Sequence, residues 1–134
     1  MTYDIRSGTF LALILALVLN LVVFFIGRTA LSVPFTVNLG GGIVTVTHLI
    51  LTTIITTIGA GLILWILQRS IGNFVEIFLW LAGILALLSL IFVYAQAIGR
   101  PSFFSLGLMH IISVGSIVYG LLYFSHCERC ELRI

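Results

Sequence analysis

The residues of this chain with chemistry to offer are few: His48, His110 and His126, the pair Cys127 and Cys130, and the amides Asn20 and Gln96 set inside long apolar runs. His48 and His110, if carried on facing helices, have the nitrogens that a b-type haem takes as axial ligands, and one histidine alone can ligate a chlorophyll-type pigment. The plainer reading has His110 hydrogen-bonding Asn20 or a hydroxyl across a helix bundle, with His48 at a helix start beside water. The segment His126-Cys127-Glu128-Arg129-Cys130 contains C-x-x-C, a spacing that lets two thiolates share a metal ion or close a small disulfide. Two thiolates are half of a tetrahedral site. The metal expected here is therefore zinc shared with a partner chain or second copy, with His126 as a third ligand. The order is not the C-x-x-C-H of covalent haem attachment, and in a reducing compartment the same thiols stay free as an unliganded tail. Asp4, Glu76, Glu128 and Glu131 fall near chain ends or span ends, so no two are spaced as an acid/base pair. No nucleophile elbow, phosphate loop or metalloprotease helix is present, and the expectation is a protein that is not an enzyme.

What must position these residues is set by composition. Of the 134 residues 61% are hydrophobic and 7% charged, with a mean hydropathy of +1.32. Soluble domains are about 45–50% apolar and about 25% charged, so this chain cannot cover a water-facing surface and belongs in a membrane. A spanning helix uses about 20 apolar residues. Four such runs occur, at about 9–27, 48–67, 74–98 and 103–124, their ends marked by charge, amide or proline except at the start of the second, which Ile43–Thr47 could extend. Arg100-Pro101 stops the third, because proline disfavours helical geometry in the residue before it. The first run exceeds a signal-peptide core and lacks an A-x-A site, so it reads as a retained helix. A barrel is excluded by the absence of short alternating segments. The expected fold is all-α: a single membrane domain, 1–134, built as an antiparallel four-helix bundle with a tail at 125–134.

The link 28–47 is the one connection long enough to form structure. Val33, Phe35, Val37 and Leu39 alternate, Gly40-Gly41-Gly42 permits a reversal, and Ile43–Thr47 is rich in β-branched residues, so a small hairpin on the outer surface is one expectation. An irregular interfacial loop is the other.

Every basic residue is arginine. With four spans, Arg6, Arg69, Arg129 and Arg133 share the side of both termini, and Arg28 and Arg100 lie opposite. That asymmetry predicts cytoplasmic termini in a bacterial inner membrane. A net charge of +2 is too small and dispersed for nucleic acid; lipid head groups and other membrane subunits are the expected neighbours.

Small and polar residues mark helix contacts in lipid: Ala12, Ala16 and Asn20 in the first span; His48, Thr52, Thr56 and Gly59–Gly61 in the second; Ala82, Ala86, Ser89, Val93 and Gln96 in the third; His110, Ser113, Ser116 and Gly120 in the fourth. In this topology Asn20 lies about 10 Å below the outer end of its helix at the usual rise, and His110 at a similar depth. Asn20, His48, Gln96 and His110 thus fall in the outer half, above an inner half of Leu, Ile, Val, Phe and Ala. That predicts a pocket open outward rather than a channel, and polar residues inside a membrane mark functional sites by default.

These residues also carry a resemblance. Asn20 and Arg28 around the end of the first span, Val33-Pro34-Phe35 before a glycine-rich run, Trp65 followed by Gln68-Arg69, Ser89, and Leu108-Met109-His110 resemble small bacterial four-helix membrane proteins grouped as an uncharacterised domain of unknown function. The resemblance implies no activity. It does imply that His110 is the family's fourth-helix histidine, while His48 and the Cys127/Cys130 tail lie outside the shared pattern. The leading functional expectation is a non-enzymatic accessory or structural subunit of a larger membrane complex. The alternatives are a haem-, pigment- or lipid-binding protein using Asn20, His48, Gln96 and His110, and a redox or metal protein using the tail.

Overall fold

A computed structural model describes the backbone of residues 5–29, 42–97 and 100–131, and side chains within 5–29, 42–97 and 102–123. The fold is an all-α four-helix bundle, with α1 (Ile5–Thr29), α2 (Val46–Ser70), α3 (Phe74–Gln96) and α4 (Arg100–Glu131) in chain order. All four are long and apolar enough to cross a membrane. At 1.5 Å per residue the 25 residues of α1 reach about 37 Å, longer than the ~30 Å hydrocarbon layer. The four charged side chains described, Arg6, Arg28, Arg69 and Glu76, are all exposed.

The ends differ from the expected spans in an instructive way. Pro101 stands one residue inside α4, where its missing N–H is no loss and its fixed φ suits the first turn. Arg100-Pro101 therefore opens the fourth helix rather than closing the third, which has already ended at Gln96. Residues 125–131, expected as a tail, continue α4 to Glu131, since nothing from Ser125 to Glu131 is glycine or proline. Of the expected hairpin, residues 30–41 lie outside the described residues; Val46 and Thr47 are already helical and Ile43 makes only an isolated bridge. Thr45 sits in extended geometry as the N-cap of α2, its side chain accepting from the His48 N–H, which satisfies one of the helix's unpartnered first-turn donors.

The bundle is held on α1. Its buried residues are Ile5, Gly8, Ala12, Ala16, Asn20, Phe24 and Gly27, a stripe at intervals of three and four that extends the predicted Ala12-Ala16-Asn20 face in both directions. Small residues let backbones approach, which is how helices associate without water to drive them together. A Cβ added at Gly120 of α4 would stand 2.7 Å from both Cα and Cβ of Ala12, and one added at Gly61 of α2 would collide with the Thr9 hydroxyl. Positions pair in opposite order along these contacts: Thr9 meets Gly61 and Asn20 meets Thr53, while Ala12 meets Gly120 and Asn20 meets Ser113.

Two apolar clusters result. One gathers Ala12, Ala16, Leu64, Phe78, Ile117 and Leu121; the other Phe24, Leu49, Val93, Leu106 and Met109. Asn20 lies on α1 between Ala16 of the first and Phe24 of the second, fully buried. By contrast α3 is barely enclosed: 11% of its most apolar stretch is buried, against 39% for α4, and its buried residues are Phe78 and Val93.

Candidate functional site

The Asn20 carboxamide ties three helices. Its Nδ2 donates to Thr53 Oγ1 at 3.3 Å and Ser113 Oγ at 2.7 Å, and its Oδ1 lies 2.9 Å from the same serine oxygen. Thr53 and Ser113 in turn reach the carbonyls of Leu49 and Met109 in their own helices, at 2.8 and 2.7 Å. A buried amide left unpaired would be expensive; this one is paired on both sides.

The choice of Thr53 corrects the predicted face of α2 by one residue. The buried positions are Leu49, Thr53, Thr57, Gly61 and Leu64, not His48, Thr52 and Thr56, which are exposed. Thr52-Thr53 and Thr56-Thr57 are adjacent pairs, so both faces repeat every four residues, and the amide of Asn20 selects the second member of each. The predicted stripe of α3 is also not a tight contact face. Ala82, Ala86, Ser89 and Gln96 are only half-buried.

Those displaced faces enclose a cavity of about 780 Å³ among α2, α3 and α4. One end is bordered by His48, Thr52, Thr56, Ser89, Gln96, His110 and Ser113; the other by Ala60, Ile63, Phe78, Leu81, Ala82, Ile117 and Val118. The residues just before α2, Gly42 to Val44, border the polar end. No Asp, Glu, Lys or Arg lines the cavity among the described residues. Ala82, Val114 and Val118 border both this cavity and a shallow apolar groove on the outer seam of α3 and α4, where Gly83 and Gly115 leave open space. Small residues thus separate the apolar end from the surface.

The structure brings His48, Gln96 and His110 to one cavity, as the sequence anticipated, but Asn20 stands behind its wall and acts through Ser113 and Thr53. His110 does not bond Asn20. Its Nδ1 lies 3.0 Å from the Leu106 carbonyl, so Nδ1 carries a proton, and in that neutral tautomer Nε2 is the atom with the lone pair. His48 Nδ1 lies 2.9 Å from Thr45 Oγ1, so that ring stands at the helix start as the plainer reading had it. For haem or pigment, Nε2 of His110 and Nε2 of His48 are the nitrogens left to ligate. Among the described residues no three His, Cys, Asp or Glu side chains cluster as a metal site. His126, Cys127 and Cys130 lie on the last turns of α4, and their side chains are outside those described. The residues that sequence reasoning passed over are Thr52, Thr56 and Ser89, assigned there to packing; the doubled threonines were the signal that α2 has two polar faces.

The model of a family of unknown function, DUF6069, matches residues 2–125. The chain belongs to that family. No curated protein and no solved structure matches it. The match takes in Asn20, His48, Gln96 and His110 and stops before His126 and Cys127, so the cavity lies within what defines a DUF6069 protein and the C-x-x-C lies beyond it. With four helices fit to cross a bilayer, this member is a multi-pass membrane protein.

Proposed function

We propose that this protein binds a membrane amphiphile, a lipid-like molecule with a polar head and an apolar tail, in the cavity among α2, α3 and α4, without catalysing a reaction. The observation that carries this is the gradient within one continuous space: histidines, an amide and hydroxyls at one end, hydrocarbon side chains at the other. A channel needs polar partners throughout, whereas an amphiphile needs this asymmetry. The thin seam of Ala82, Val114 and Val118 supplies a lateral route by which a tail enters from lipid. In this reading the chain is an antiparallel bundle in a bacterial inner membrane, termini in the cytoplasm on the arginine count, and the polar end faces outward. The test is to purify the protein in mild detergent, extract it and identify bound lipids by mass spectrometry, beside an Ala86→Trp variant whose indole occupies the cavity. Stoichiometric lipid in the wild type and its loss in a still-helical variant is expected; equal, non-specific lipid in both sinks the proposal.

A second reading, an accessory subunit of a larger membrane complex, is favoured by α3, whose outer face is left almost wholly uncovered by its own chain. Native-detergent pull-down should then return other membrane subunits at fixed stoichiometry, and a solitary monomer at native expression level counts against it.

A further inference from the structure

At the polar end of the cavity, set among Val44, Leu49, Phe92, Val93, Leu106 and Met109, the polar groups are mostly acceptors. A hydroxyl has one proton, and those of the lining residues are already committed within the bundle: Thr52 Oγ1 to the His48 carbonyl at 2.8 Å, Thr56 Oγ1 to the Thr52 carbonyl at 2.7 Å, Ser89 Oγ to the Ala86 carbonyl at 2.8 Å, and Ser113 Oγ shared between the Met109 carbonyl at 2.7 Å and Asn20 Oδ1 at 2.9 Å. His110 follows the same rule: its Nδ1 proton is engaged by Leu106, and in the neutral tautomer Nε2 carries the lone pair. Gln96 contributes an amide that both donates and accepts, and His48 stands exposed at the mouth. What these groups can still offer is lone pairs on three helices, and no Lys or Arg is found among the described residues that line the cavity.

Resting on the cavity reading above, we infer that the bound head group is an uncharged hydrogen-bond donor, an alcohol or phenol hydroxyl, whose single proton goes to one of the acceptors at this end, Nε2 of His110 or an oxygen of Thr52, Thr56 or Ser89. Gln96 meets the oxygen of that hydroxyl. A phosphate head would bring negative charge against lone pairs where no described lining residue carries a counter-charge, and burying an unpaired ion is prohibitive. Glycerolipid alcohols and prenylated quinols both present this chemistry.

Competition binding by native mass spectrometry, on the full-length protein in detergent, separates the cases. One set of probes is dioleoylglycerol, its 3-O-methyl ether and dioleoyl phosphatidate; the other is decyl-ubiquinol and decyl-ubiquinone. In each neutral pair the donor-bearing member should bind about tenfold more tightly, the worth of one good hydrogen bond, and the pair that binds better names the source. Phosphatidate should bind most weakly. His110→Phe keeps a ring of similar volume and removes the acceptor, so the alcohol-to-ether ratio should fall about threefold or more with helicity unchanged; Ser89→Ala should act in the same direction without touching a ring. An ether or quinone that binds as well as its donor partner, or a phosphatidate that displaces the alcohol, overturns the assignment of the head while leaving an occupied cavity. If none of the five probes binds and the Ala86→Trp variant loses no lipid, the cavity reading itself falls with it.

Discussion

Adding one methyl group at Gly120 should destabilise the bundle, while adding the same group at Gly115, just over one turn earlier on α4, should not. At Gly120 the new Cβ meets Ala12 Cα and Cβ at 2.7 Å, short of the 3.4 Å where ordinary contact begins by 0.7 Å. Neither atom can rotate away, because an alanine has no rotamer and its Cα is the helix itself. The two helices must part by that distance. A gap of about 0.5–1 Å forfeits a quarter to a half of the dispersion energy of every facing pair, and overpacking of this kind costs about 1–3 kcal/mol. At Gly115 nothing lies within 4 Å, so only the helix preference for alanine over glycine acts, a gain of up to about 1 kcal/mol. The two variants are chemically identical and opposite in sign. Reversible unfolding by titrating SDS into mixed micelles, followed by far-UV circular dichroism, measures both. Equal effects at the two positions would mean that close approach of α1 and α4 is not what holds the bundle.

Gly61→Ala should be milder, because the atoms it strikes belong to the Thr9 side chain, and combining it with Thr9→Ala should recover about 1 kcal/mol in a double-mutant cycle of unfolding free energies; strictly additive effects would deny the contact. Asn20→Leu should cost only about 0.6–1.7 kcal/mol, since Thr53 and Ser113 keep their bonds to Leu49 and Met109, and a loss above about 3 kcal/mol in the same unfolding assay would show a hydroxyl stranded. Thr45→Ala should lower the stability of the first turn of α2 by about 1 kcal/mol, read as faster hydrogen exchange at the His48 amide, with Thr45→Asp restoring protection.

The spans were legible because lipid imposes a coarse rule, long apolar runs ended by charge, and the chain obeys it four times. Their ends were less so. Arg100-Pro101 speaks for a stop when read from the helix before it and for a start when read from the helix after it, and the structure uses it as a start. The face of α1 could be read because its small residues have no rival at a neighbouring register. The face of α2 could not, since the threonines at 52, 53, 56 and 57 support two registers equally, and only the partner on α1 distinguishes them. His48, Gln96 and His110 could be placed at one depth by counting along each helix. That His110 bonds its own backbone and that the cavity hydroxyls turn their protons inward are matters of rotamer and distance, which spacing does not encode.

The paired threonines of α2 have a consequence for how such a protein can diverge. Thr53 and Thr57 are buried toward the bundle, with Thr53 touching the cavity as well, whereas Thr52 and Thr56 are exposed and border the cavity alone. Neighbours in the chain therefore answer to different demands. On the proposed reading, exchanging Thr52 or Thr56 would retune what the chamber accepts without loosening the knot at Asn20, so ligand preference could change while the scaffold stays fixed.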